Sequence, residues 1–248
     1  MTVISKILLR IIRGFYNNIY FKKKSSYLLK LKIFLRGSFH YYPSFIDHLS
    51  NGNATGAKSF PWRELDLFDV LDKYKPLSIV EFGGGSSTGI FSTYTRISNG
   101  SFISVDESEE WSKLTFNSLV ASDDKFSSSS VSFINTNRLE NSFGSFYDFK
   151  LTNSVDLLYI DGPSVKKLNN SKLPNQDIHH LFSSGVFPKL ILIDGRVATV
   201  QSILDSPYSN LYKFIPSTAY FQNKLSIRFL FTPRVYFLSS LFVRNDIR

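Results

Sequence analysis

One stretch of about thirty residues constrains this chain more than any other. Pro76-Leu77-Ser78-Ile79-Val80-Glu81-Phe82 is a short apolar strand that runs directly into Gly83-Gly84-Gly85-Ser86-Ser87-Thr88. Ser87 to Ile97 is helix-compatible, and Ser101 to Val105 is a second strand ending in Asp106-Glu107. Strand, glycine-rich turn, helix, strand and acid, in that order, make a nucleotide-binding βαβ unit. Glycines let the backbone turn sharply and let a ligand approach the main chain without interference from a Cβ. An acid at the end of the second strand can accept both hydroxyls of a ribose. The competing reading of the glycines is a strand-to-helix turn with no ligand.

Further strands follow the same plan. Val131 to Asn135 is short and β-prone. Val155 to Ile160 ends in Asp161-Gly162-Pro163, and Leu190 to Ile193 ends in Asp194-Gly195-Arg196. Ligand crevices of open α/β sheets lie at the carboxyl ends of the strands. Glu81, Asp106, Asp161 and Asp194 occupy four such ends, a constellation suited to one shared site. Pro61 to Tyr74 reads as a helix before the first strand, with Pro61 in its first turn. Leu211 to Tyr220 and Ser226 to Thr232 read as paired strands, an antiparallel hairpin closing the sheet edge. Trp111, in the helix after Asp106, is either a purine-flanking aromatic or a core residue.

Charge divides the chain unequally. Residues 1–46 carry nine Lys/Arg and no acid, while the rest balances 20 bases against 20 acids. This predicts a basic, aromatic-rich helical arm over residues 1–50 and a neutral domain over 51–248. Ile4, Leu8, Ile11, Ile12, Phe15 and Ile19 recur at helical spacing along the arm. Such an arm packs on the domain or on a second subunit, lies on an anionic membrane surface, or holds an anionic polymer such as RNA. The chain has no cysteine, which excludes disulfides, thiolate metal sites and a cysteine nucleophile. No apolar run reaches the roughly 18 residues of a spanning helix, and Arg10, Arg13 and Lys22 interrupt any signal-peptide core. The expected location is cytoplasmic, with peripheral attachment to the inner face of a membrane as an option.

These residues resemble class I S-adenosylmethionine-dependent methyltransferases over roughly residues 60–235. Glu81-Phe82-Gly83-Gly84-Gly85-Ser86-Ser87-Thr88 looks like the first motif of that superfamily, Asp106-Glu107 like its ribose-binding acid, and Asp161-Gly162-Pro163 like its fourth-strand motif. The resemblance implies a Rossmann-like, seven-stranded α/β sheet with antiparallel C-terminal strands. It implies S-adenosylmethionine as cofactor, held by Glu81, Gly83, Gly84, Gly85, Ser86, Ser87, Asp106, Glu107 and Asp161. Candidate bases for an acceptor hydroxyl are Asp161, His179 and His180. Some small-molecule O-methyltransferases bind a divalent ion at the ends of the fourth and fifth strands, which makes Asp161 and Asp194 candidate magnesium ligands. A third oxygen ligand is not evident, because Gly195-Arg196 follows Asp194.

The resemblance implies O-methylation of a sugar or other small polar acceptor, in the manner of methyltransferase-like proteins of glycan pathways. Competing readings are a non-catalytic binding protein of the same fold and an RNA methyltransferase recruited by the arm. Asp161-Gly162-Pro163-Ser164 departs from the Asp/Asn-Pro-Pro-aromatic motif of base amino-methylating enzymes, which counts against nucleic acid. The partners expected are thus a small-molecule or glycan acceptor, an anionic membrane surface through residues 1–46, and a second copy of the chain.

Overall fold

A computed structural model describes residues 42–51, 61–122, 126, 131–151, 155–169, 171–217, 220 and 239–247. All of them belong to one unit, Tyr41–Arg248. The arm stripe, the bases of residues 1–41 and the segment Ser226 to Thr232 lie outside the described residues.

The elements alternate as the sequence predicts. Helices α1 (Tyr42–Asn51) and α2 (Pro61–Tyr74) precede β1 (Ser78–Phe82), α3 (Ser86–Ser98), β2 (Ser101–Asp106), α4 (Glu109–Ser122) and β3 (Val131–Asn135). Next come a small hairpin, β4 (Arg138–Glu140) and β5 (Ser145–Tyr147), then β6 (Leu157–Ile160) and a second small hairpin, β7 (Lys167–Leu168) and β8 (Ser171–Lys172). Helix α5 (Asp177–Ser183), β9 (Leu190–Asp194), α6 (Val197–Leu204), β10 (Tyr212–Ile215) and β11 (Ser239–Arg244) complete the described chain.

Seven strands form one sheet in the order β10-β11-β9-β6-β1-β2-β3. The five from β9 to β3 are parallel. Strands β6 and β9 are apolar and buried at every position up to the terminal acid, as a strand covered on both faces requires. On one face Val80, Phe82, Leu158, Ile160, Ile191 and Ile193 share a core with residues of α5 and α6. On the other, Phe91 of α3 meets Phe102 and Tyr159, with ring centroids 5.7 and 5.3 Å apart. Helix α1 buries Phe45 and Leu49 with Leu119 of α4. Phe45 lies so close to Gly89 of α3 that a Cβ there would sit 2.5 Å from its ring.

The C-terminal pair is antiparallel, as expected, but its second strand lies further along the chain. Tyr212–Ile215 pairs with Ser239–Arg244. That last strand also pairs antiparallel with β9, so it is inserted inside the sheet and β10 forms the edge. The burial agrees with the order: Ser239 through Val243 are all buried, whereas β10 leaves Lys213 exposed. Several apolar, β-prone stretches occur after Tyr220, and the sequence pattern does not say which one enters the sheet.

From β1 the chain steps outward to β2 and β3, then returns to β6 on the other side of β1. Such a reversal opens a crevice at the carboxyl ends of β1 and β6. Phe45→Ala is expected to cost about 3–5 kcal/mol in chemical denaturation, because a fully buried ring between α1 and α3 would leave a cavity.

Candidate active site at the strand ends

Strand β1 is followed by Gly83, whose φ of +91° suits glycine. A Cβ on Gly83 would lie 2.5 Å from the amide nitrogen of Gly162, and one on Gly162 would strike Gly83 in turn. The turns after β1 and β6 therefore touch backbone to backbone. Asp161 and Gly162 both donate their amides to the Phe82 carbonyl, at 2.8 and 2.5 Å.

Glu81 lies beneath the turn at 0% exposure. Its carboxyl group accepts the hydroxyls of Ser87, of Thr88 at 2.6 Å and of Ser104 at 3.0 Å. Burial pushes its pKa up to about 8 against the pull of those three donors. Glu81 and Ser87 thus fasten the start of α3 to β1 and β2.

Asp106 closes the turn from the side. Its Oδ2 accepts the Gly84 amide at 2.9 Å and its Oδ1 the Ser108 amide at 2.8 Å. Burial, outweighing those amides, raises its pKa. The Trp111 indole donates to the Gly84 carbonyl at 2.6 Å and packs beside the Phe45–Leu49–Leu119 cluster. Neighbouring Glu107 accepts the amide of Ser164 at 3.2 Å and its hydroxyl, tying the loop after β2 to the loop after β6.

Asp161 and Asp194 end the adjacent parallel strands β6 and β9, and one cation joins them. Arg63, in the first turn of α2, pairs through Nη2 with Asp194 and through Nη1 with Asp161 at 3.6 Å. Arg196 stands on the other side of Asp161, with Nη2 3.9 Å from Oδ1, and donates to the carbonyls of Asp161 and Pro163. Among the described residues, no donor lies within hydrogen-bond distance of either Asp161 carboxylate oxygen. The Asp161 side chain, at the carboxyl end of β6, keeps 31% exposure. Burial first and the Asp194 charge second push its pKa up to about 7, opposed by the two arginines.

A buried polar network props this loop. Asn175 Nδ2 donates to the Gly162 carbonyl at 2.9 Å and to Asp177 at 2.7 Å, and Asp177 accepts the Tyr147 amide at 2.9 Å. Burial holds Asp177 at a pKa of about 7. His179 and His180 are engaged elsewhere. His179 Nε2 lies 3.0 Å from Ser202 Oγ, and His180 is exposed and stacks on Phe146.

No protein-family model and no curated protein sequence matches the chain. Solved structures do match it. The cofactor-bound protein Rv0187 from MTB superposes with a TM-score of 0.52 at 10% identity, covering 88% of this chain and 95% of that one. An O-methyltransferase from Bacillus cereus in complex with SAH gives 0.50 at 10% identity, covering 87% and 97%. Taken with the strand order, these likenesses decide the fold. The chain has the class I methyltransferase fold.

The residues at this crevice fit an adenosyl cofactor. A carboxylate oxygen that accepts one amide retains a lone pair, so Asp106 can still receive hydroxyls. Gly83 and Gly84 keep part of their main chain exposed, whereas Gly85 is buried, with Trp111 3.6 Å from where its Cβ would stand. The expectation of magnesium at Asp161 and Asp194 is not supported. Among the described residues no group of three His, Asp or Glu side chains could hold a metal ion. The guanidinium of Arg63 lies against both carboxylates.

Sequence reasoning missed Arg63, Arg196, Asn175, Asp177 and Tyr147. The Asp-Gly-Arg tripeptide was visible, but the return of Arg196 onto the preceding loop was not. Arg63 lies about one hundred residues from the nearer acid it pairs with, and no spacing rule links them.

Glu81 carries a pH prediction. Its folded pKa of about 8 exceeds the ordinary carboxylate value of 4.5. Its destabilising effect is therefore absent in acid, grows as pH rises and is complete above about 8. Asp161 and Asp177 act in the same sense up to about 7. Between about pH 5.5 and 8.5 the thermal midpoint of the wild type is expected to fall more than that of Glu81→Gln. Equal slopes for the two proteins would contradict the assignment.

Proposed function

We propose that this chain is an S-adenosylmethionine-dependent methyltransferase acting on an oxygen of a sugar or other small polar acceptor, with Asp161 as general base. The observation that carries the reading is the Asp161 carboxylate. It is open to the crevice at the carboxyl ends of β6 and β1, has a pKa of about 7, and has no hydrogen-bond donor among the described residues. A base is most effective when its pKa lies near the working pH, and a carboxylate with vacant lone pairs can take the proton of an incoming hydroxyl.

The turn Gly83-Gly84-Gly85-Ser86 would hold the adenosyl cofactor through its main chain, with Asp106 receiving the ribose hydroxyls and Glu107 beside it. When bound, the cofactor would supply a sulfonium methyl group open to in-line attack by an acceptor oxygen, with the C–S bond breaking and the thioether S-adenosylhomocysteine leaving. The chain's own task is to orient that oxygen and remove its proton. Asp161 accepts the proton as the O–C bond forms. Arg63 and Arg196 oppose the upward shift of the Asp161 pKa, so the carboxylate form is reached near neutral pH, and the Asn175–Asp177 network keeps its loop from shifting. His179 and His180 take no part in this reading. The glycan acceptor and attachment to an anionic membrane through residues 1–46 belong to the same proposal. Among the described residues no helix is long and apolar enough to cross a membrane.

Calorimetry with S-adenosylhomocysteine and transfer of a labelled methyl group to sugar hydroxyls test the reading. Asp106→Ala should weaken adenosyl binding by about 1.5–3 kcal/mol. Asp161→Asn should lower the transfer rate by about 10²–10⁴-fold and leave that binding unchanged. The wild-type rate should rise with pH through about 7 as Asp161 loses its proton. Binding without transfer to any hydroxyl acceptor would make the chain a binding protein, and absence of binding would overturn the proposal.

A further inference from the structure

The strand-end carboxylates do not fit a divalent cation, and the reason is a residue of the chain itself. Six or more oxygen ligands surround a bound magnesium or calcium ion. Asp161 and Asp194 supply carboxylates, but Gly195 follows Asp194 and offers no side chain. Arg63 instead contacts Oδ2 of both acids, with its own side chain only 17% exposed and that of Asp194 at 6%. The second oxygen of Asp194 receives the Ser239 hydroxyl at 3.4 Å. Helix α2 is itself pinned to β11, because Asp66 accepts the Ser239 amide at 3.2 Å. Asp66 lies one turn after Arg63, so this bond holds Arg63 in reach of both acids.

The position of Arg63 in its helix is otherwise unfavourable. A cation in the first turn of a helix opposes the macrodipole. Here the guanidinium lies against two anions, which offset that cost. Two adjacent carboxylates without a cation would repel each other, and the usual outcome is that one of them stays protonated. Arg63 is always charged and presents its donors in a rigid fork.

We propose that Arg63 is the permanent cation of the Asp161–Asp194 pair, standing where a divalent ion would otherwise be needed. It acts as a positioning residue, keeping Asp161 aimed into the crevice. Its role in transfer rests on the methyltransferase reading, whereas its role against metal does not.

Manganese binding, read by the loss of the free-ion electron paramagnetic resonance signal, tests the metal half directly. Wild-type protein is expected to bind no manganese at this pair. Arg63→Ala should bind it about tenfold more tightly or better, since a positive charge in contact with both carboxylates is gone. The double variant Arg63→Ala/Asp194→Asn should lose that binding. Manganese bound by the wild type and lost in Asp194→Asn alone would overturn the proposal, and that measurement needs no variant of Arg63. Folded Arg63→Ala that gains no manganese would also overturn it. Where Arg63→Ala does not fold, Arg63→Met keeps the apolar stem and answers the same question. For the positioning half, magnesium should restore part of the transfer rate of Arg63→Ala but not of the double variant. A rate lost without rescue would make Arg63 merely structural. A wild type that binds S-adenosylhomocysteine but transfers nothing would instead count against the proposed function and leave the manganese result standing.

Discussion

The backbones of Gly83 and Gly162 meet at the end of the sheet, and the rest of the site depends on that contact. One carbonyl, that of Phe82, takes the amides of both Asp161 and Gly162. The strand ends of β1 and β6 are thereby locked at a separation that only two facing glycines permit. Tyr147 and Asn175 lie against Gly162, and Asp177 in turn holds both of them. A rigid floor of this kind lets a flexible-looking glycine turn carry Asp161 at a fixed place. Side chains held by a second layer of hydrogen bonds keep their geometry far better than side chains on a free loop.

Electrostatics separates the four strand-end acids into different roles. Glu81 is sealed from solvent and satisfied by three hydroxyls, so it serves as structure near neutral pH whatever the ligand. Asp106 is engaged by two amides and keeps lone pairs for further donors. Asp194 is neutralised by direct contact with Arg63. Only Asp161 combines depth, an open face and ion pairs too long to consume its lone pairs. Four residues that look equivalent as strand-terminal acids become a buried brace, an acceptor of two amides, a counter-ion and a part-exposed carboxylate, and their neighbours make the difference.

That distinction explains what was legible in the sequence. Strand type, the glycine turn and the acid after each strand are local, periodic signals, and they place β1, β2, β6 and β9 correctly. The antiparallel end was legible as a kind of element but not as a position, because more than one apolar stretch after Tyr220 could supply the last strand. The partners of each acid were illegible. Arg63 reaches Asp161 and Asp194 only because α2 packs over the sheet beside β11, and β11 comes from the far end of the chain. Sequence reading therefore grouped Asp161 and Asp194 as metal ligands, a fair inference from two acids and nothing else.

A guanidinium and a divalent ion solve the same problem with different consequences. A metal lends two charges and open coordination positions, but it exchanges with solution and varies with supply. Arginine lends one charge and no coordination position, so it can steady a carboxylate but cannot polarise an acceptor oxygen as a Lewis acid does. The proton must then be taken by a base that is itself strong enough, which requires a carboxylate pKa raised toward neutrality. Asp161 has that property because burial first and the Asp194 charge second raise its pKa, while Arg63 and Arg196, no closer to its carboxylate than 3.6 Å, only oppose the shift. One arginine between two acids thus accounts for the lack of a fitting metal site, while burial and the neighbouring acid account for the raised pKa of Asp161.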